Sequence, residues 1–171
     1  QAYVAQTYPD QGLEVEKAEY RLSTRGYQAR VEDKEKEDVF FTVSVKDGQI
    51  LSDSYETDVI EKGNTVRRLE EAYTALAQEK LEAELSVAVR PSVRLDSASL
   101  EKVQLGMAFS LEDTLQYSLM LEGTADEPTL DTAAQLLGEV YSQMDAKGYG
   151  FSSYGVQLEK DGAAIVVAQV A

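Results

Sequence analysis

Carboxylates are the abundant reactive groups of this sequence. Thirty-one Asp and Glu stand against sixteen Lys and Arg, with no His and no Cys, for a net charge of −15. Two acids at a fixed separation can hydrolyse a glycosidic bond without His or Cys. Sugar sites also stack their ligands on aromatic rings, and Trp, the largest of these, is absent. Lack of His removes the commonest general base, metal ligand and pH switch. Ser-His-Asp and Cys-His arrangements and the usual zinc sites cannot be built. Gly148-Tyr149-Gly150 lacks the strand-before, helix-after setting of a phosphate loop. Neither 53–58 nor 122–131 spaces its acids as a calcium loop requires. The chain therefore reads as no enzyme: catalytic, cofactor and metal residues none, cofactor none, and binding residues left unassigned.

Three further features carry two readings each. Glu32-Asp33-Lys34-Glu35-Lys36-Glu37-Asp38 is the densest charge cluster; it can attract a cation or basic partner, or simply be a solvated hairpin loop, the reading we favour. Ten Tyr against four Phe suit a recognition surface, since Tyr has an apolar body and a polar tip. Tyr55, Tyr149 and Tyr154 fall near element ends, exposed for contact or packed at sheet edges with wet hydroxyls. Arg67-Arg68 opens a helix, where the dipole disfavours cations, so an ion pair with a nearby acid or a small anion site is expected.

The elements that position these residues follow from periodicity. Residues 2–8 read as a helix ended by Pro9-Asp10-Gln11-Gly12. Residues 13–22 alternate, but the apolar face switches from Leu13 and Val15 to Ala18, Tyr20 and Leu22, which calls for a bulge near Glu16-Lys17. Tyr27, Ala29 and Val31 alternate, as do Val39, Phe41, Val43 and Val45, and Asp47-Gly48 makes a tight turn into Ile50 and Leu51. A short helix over 54–61 with Ser54 as cap and a long one from Asn64 to about Leu85 come next. Val66, Leu69, Tyr73, Leu76, Ala77 and Leu81 give the long helix an apolar stripe, expected to seal the face of the preceding meander.

Past Ser86, Val87, Val89 and Val93 suggest a strand interrupted by Pro91. Val103, Leu105, Met107 and Phe109 alternate weakly, and Leu115, Tyr117, Leu119 and Leu121 alternate clearly. Residues 123–128 read as a loop and Thr129 caps a helix to Lys147, ended by Gly148. Tyr154, Val156 and Leu158, an Asp161-Gly162 turn, and Ile165-Val166-Val167 form a last hairpin. The fold class expected is α+β, two small lobes, each an antiparallel sheet covered by one main helix. Residues 1–86 form the N-terminal lobe (helix stub, meander, long helix) and 87–171 the C-terminal lobe (strands, helix, terminal hairpin).

Length and composition fit that division. A chain of 171 residues, 43% hydrophobic and 27% charged, has enough apolar material for a core without disulfides. Its acidity repels nucleic acid and anionic membrane surfaces. No apolar run approaches the ~18 residues of a bilayer span. The start at Gln1 without Met suggests that something upstream was removed, either a signal or anchor segment or an ordinary truncated stretch.

Four stretches resemble a known family. Arg25-Gly26-Tyr27-Gln28-Ala29-Arg30-Val31, Phe40-Phe41-Thr42-Val43, and Asp53-Ser54-Tyr55-Glu56 ahead of a helix start at 64–69 look like the YfjL-like uncharacterised extracytoplasmic proteins of Firmicutes. Lys147-Gly148-Tyr149-Gly150-Phe151-Ser152-Ser153-Tyr154 resembles their second domain. The resemblance implies two small α+β domains outside the membrane and an N-terminal anchor removed from this chain, and it brings no catalytic residues. The expectation is thus a non-enzymatic extracytoplasmic binding domain, the soluble part of a membrane-anchored or secreted bacterial protein. Its partner is an unidentified protein or cell-envelope component, without nucleic acid, touching membrane only through the anchor, and monomeric. Alternatives are a cystatin-like or PepSY-like protease inhibitor and a carboxylate-dependent glycan hydrolase.

Overall fold

The computed structural model describes residues 1–9, 11–81 and 85–171. The chain packs as two compact units, 1–67 with 103–107 and 68–102 with 108–171. The α+β class with two sheets and helical cover is as expected. Packing divides the chain inside the long helix, however, rather than at residue 86.

The first unit is a five-stranded antiparallel sheet, sheet A. Its strands are β1 (Glu14–Val15), β2 (Glu19–Arg21), β3 (Gly26–Glu32), β4 (Phe40–Lys46) and β5 (Gln49–Asp53). Both β1 and β2 pair with β3, Val15 opposite Val31 and Glu19 opposite Gln28. One extra residue therefore lies at 16–18, where the alternation changes face. Val15 and Tyr20 consequently share a side with Val31 and Tyr27. Asp47 (φ 51°) and Gly48 (φ 78°) make the β4–β5 turn, the left-handed pair of a tight hairpin. Leu51 has no partner in the register and forms a bulge in β5.

Val31, Val39, Phe41 and Val43 make the core of this unit with Val4 and Val59. Val4 comes from helix α1 (Ala2–Thr7), and Val59 from a π turn over Glu56–Ile60. The Ser54 hydroxyl caps no helix. It accepts from the Thr42 N–H at 2.9 Å and donates to Asp58 at 2.6 Å, holding the turn to β4.

Helix α2 (Gly63–Leu81) follows. Asn64 is not its cap: its amide donates to the Asp38 and Phe40 carbonyls. Thr65 donates to the Asp38 carboxylate at 2.6 Å and accepts from the Gly106 N–H at 3.0 Å. Asp38 is only 2% exposed, and its carboxylate accepts from the Thr65 hydroxyl beside the positive end of the helix. Residues 103–107 complete the unit, with Val103 buried and its carbonyl accepting from Lys62. The weak alternation at 103–109 accordingly makes no strand; a 3-10 turn (Ser97–Lys102) precedes it.

The second unit holds sheet B, ordered β6 (Val89–Leu95), β7 (Tyr117–Thr124), β8 (Ser153–Lys160) and β9 (Ala163–Val170). The β7–β8 pairing is parallel and the other two antiparallel. Helix α3 (Leu130–Ala146) makes the crossover a parallel pair requires. Thr129 caps it by accepting from the Thr132 N–H. Gly148 (φ 75°) ends it, and the Tyr149 N–H reaches back to the Met144 carbonyl. The segment expected as a loop from 123 begins two residues later, since β7 runs through Thr124.

The stripe of α2 belongs to this unit. Tyr73, Ala77 and Leu81 are buried with Val93, Tyr117, Leu119, Leu121, Val140 and Val156, so they do not seal the meander. The continuation expected toward Leu85 falls on 82–84, outside the described residues. Polar groups on α2 explain its placement. Thr74 Oγ1 accepts from the Val93 N–H and Glu70 Oε1 from the Leu95 N–H, both at 2.9 Å. Residues four apart on a helix are spaced nearly like residues two apart on a strand. Pro91 has the same parity as Val93 and Leu95, so the donor it lacks is one that would also have pointed outward. The edge of sheet B at β6 is thus closed.

Candidate functional site

With the stripe of α2 buried in the other unit, the apolar face of sheet A is roofed over part of its area by the six-residue α1 and by the π turn that carries Val59. A groove of about 300 Å³ opens there between α1 and the sheet, lined by Tyr3, Val4, Val15, Tyr27, Val45 and Ile50 among others. Register carries the groove onward. Tyr20 lies opposite Tyr27, Tyr27 opposite Val45, and Val45 opposite Ile50. Four strands therefore present a continuous apolar row, roughly 15 Å across at the usual strand spacing. Tyr20 is 53% and Tyr27 55% exposed, their rings edge to face at 5.4 Å. Glu16 and Lys17 stand among the groove's lining residues. The row is contiguous rather than a scatter of single apolar residues.

Asp53 sets the roof. The Tyr3 and Tyr8 hydroxyls both donate to its Oδ2 at 2.8 Å, and the Tyr55 N–H donates to Oδ1 at 2.8 Å. The bond to Asp53 holds the Tyr3 hydroxyl above its ordinary pKa, and burial followed by the same bond does so for Tyr8. Tyr8 also packs on Phe41 and Tyr55, at 5.2 and 4.4 Å between ring centres. Asp53→Ala should therefore cost about 2 kcal/mol in urea denaturation and release α1, seen as loss of contacts from the Val4 methyls in NMR spectra. Asp53→Asn, which keeps an acceptor, should lie between.

The other singled-out residues do structural work. The cluster at 32–38 pairs locally, Glu32 with Lys34 and with Arg30 just ahead of it, and Asp33 with Lys36. Bonds from Lys34 and Arg30 lower the pKa of Glu32, and one from Lys36 lowers that of Asp33. Asp38, at the end of the run, is the buried helix anchor already described. Arg67 pairs with Asp58 at 3.0 Å, so the ion-pair reading holds for it. Tyr55 donates to Gln11 at 2.9 Å. Tyr154 is 4% exposed in the core of the second unit, not at its surface. Glu79 and Glu139 are also held at lowered pKa by hydrogen bonds. Among the described residues no group of three acids could hold a metal ion. The row Tyr20, Tyr27, Val45, Ile50 was not singled out from the sequence, because it appears only once the four strands are in register.

The fold and groove define a two-unit α+β protein with an apolar surface on its first unit. Residues 72–171 match the family described as the YfjL-like C-terminal domain. That is more than half of the chain, which belongs to this family. The matched span includes the 147–154 stretch, whereas the resembling stretches at 25–56 lie ahead of it. No curated protein matches the chain, and no solved structure does.

Proposed function

We propose that this chain is a non-enzymatic extracytoplasmic interaction domain that takes an apolar segment of a protein or envelope component on sheet A. The observation carrying this reading is the groove and the Tyr20–Tyr27–Val45–Ile50 row, apolar surface that the protein leaves uncovered. Tyrosine suits such a face, giving large contact area at small entropic cost. The missing His and Cys support a binding role over a chemical one. The extracytoplasmic location is supported by the resemblance to YfjL-like proteins; no described helix is long and apolar enough to cross a membrane.

A photo-crosslinking side chain placed at Tyr27 in living cells should give a discrete adduct that the same side chain at Asp126 does not. Absence of any adduct from Tyr27 would remove the binding reading. An alkaline phosphatase fusion to the full-length gene product should be active; an inactive, stable fusion would remove the location.

A further inference from the structure

We propose that two copies of this chain join through β9, making one continuous eight-stranded sheet with the two α3 helices packed side by side.

The two edges of sheet B are treated differently. At β6 the outward donors of Val93 and Leu95 are taken by Thr74 and Glu70. At β9 no described residue is seen to play that part. The Ala125 N–H bonds to the Glu159 carbonyl, so Gly155, Gln157 and Glu159 of β8 point toward β7, and Tyr154, Val156 and Leu158 point toward β9. Their partners Val170, Ala168 and Val166 point back. The backbone groups of Val167 and Gln169 therefore face outward.

Ala163-Ala164-Ile165-Val166-Val167-Ala168-Gln169-Val170 contains no charge and no Pro, in a chain that is 27% charged. Edge strands ordinarily use both to prevent pairing. A bulge at Ile165 blunts only the turn end, leaving Val166–Val170 straight.

A second copy fits this strand. Paired antiparallel about Ala168, Val167 faces the partner's Gln169 and Gln169 the partner's Val167, giving four backbone hydrogen bonds. The residue at the two-fold axis is Ala, small enough for the close, non-bonded pair. On the covered face Val166 meets the partner's Val170, a β-branched pair. No like charges oppose anywhere along the ladder.

The helix above agrees. Glu139 on one flank of α3 accepts from Ser86, just ahead of β6, so the other flank faces β9. That flank carries Leu130, Ala134, Gly138 and Tyr141, with Leu130 69% and Tyr141 54% exposed. Tyr141 packs on Tyr154, the neighbour of Val170. Because α3 lies over both β8 and β9, extending the sheet at the usual strand spacing puts the two α3 axes about 10 Å apart. Packed helices stand 8–10 Å apart. Gly138 and Ala134 allow the approach, and Tyr141 fills the space beside the partner's Ala134.

The net charge of −15 per copy opposes association, so the dimer should strengthen as salt shortens the screening length. Sedimentation equilibrium of the full chain tests this. The expected result is a monomer–dimer equilibrium whose dissociation constant falls several-fold between low and high salt. Val167→Pro removes an outward donor while sparing the β8 ladder, and should weaken the dimer about tenfold or more. Gly138→Arg, at an exposed helix position, should do the same by setting two cations against each other, and decides the matter if the Pro variant fails to fold. A monomer at high micromolar concentration in high salt overturns the proposal, as does a dimer unaffected by Gly138→Arg.

Discussion

A fragment of residues 87–171 is expected to be a molten globule, whereas residues 68–171 should unfold in one cooperative step. The shorter piece has all of sheet B and α3 but lacks Tyr73, Ala77 and Leu81, which are buried in its core. Each large apolar side chain contributes about 1.5–3 kcal/mol when fully buried, against a total stability for a domain of about 5–15 kcal/mol. The Val93 and Leu95 N–H groups also lose Thr74 and Glu70 as acceptors. Secondary structure should survive, because α3 still covers β8 and β9, while fixed packing should not. Far-UV circular dichroism near that of the longer fragment, with a flat near-UV spectrum and no sharp melt, is the expected outcome. A sharp thermal transition in 87–171 would show that α2 is dispensable to the second unit.

The largest effect of a single substitution is expected at Tyr73. Its ring sits 4.7 Å from Phe151, 5.1 Å from Tyr117 and 5.3 Å from Phe109, and it is 4% exposed. Tyr73→Ala should cost about 3–5 kcal/mol, the range for emptying a large aromatic site. Tyr73→Phe should cost less than about 1 kcal/mol, because the hydroxyl donates to the Gly150 carbonyl at a long 3.4 Å. Urea denaturation of both variants measures the difference.

The hydroxyl has a second effect. Burial pushes its pKa up to about 12, above the value of about 10 in the unfolded chain. The neutral form is thus favoured by folding; its contribution is complete below pH 10 and lost as pH rises toward 12. Stability should fall over that window, and Tyr73→Phe should flatten the part of the fall that Tyr73 causes.

Most elements could be read from the chain because their signals are local. Asp47-Gly48 and Asp161-Gly162 adopt the left-handed turns their types favour, Thr129 caps α3, and Gly148 ends it. The face switch near Glu16 shows as one extra residue in the register. The destination of the α2 stripe was not legible. An amphipathic helix states only that one side must be covered, and both sheets offered an apolar face. Glu70 and Thr74 decided between them, through a match to the β6 edge that no periodicity reports. Likewise Asn64 and Ser54 have the types of cap residues, but the Asn64 amide bonds the Asp38 and Phe40 carbonyls and the Ser54 hydroxyl bonds the Thr42 N–H and Asp58. The groove was hidden for the same reason: it exists because α2 went elsewhere.

The contribution of 103–107 to the first unit bears on biosynthesis. Asp38 and Thr65 leave the ribosome well before Gly106, whose N–H donates to the Thr65 hydroxyl. At about 5–20 residues per second, the nascent N-terminal sheet waits several seconds for the short piece that finishes it. During that interval its unfinished end is open to chaperones and proteases.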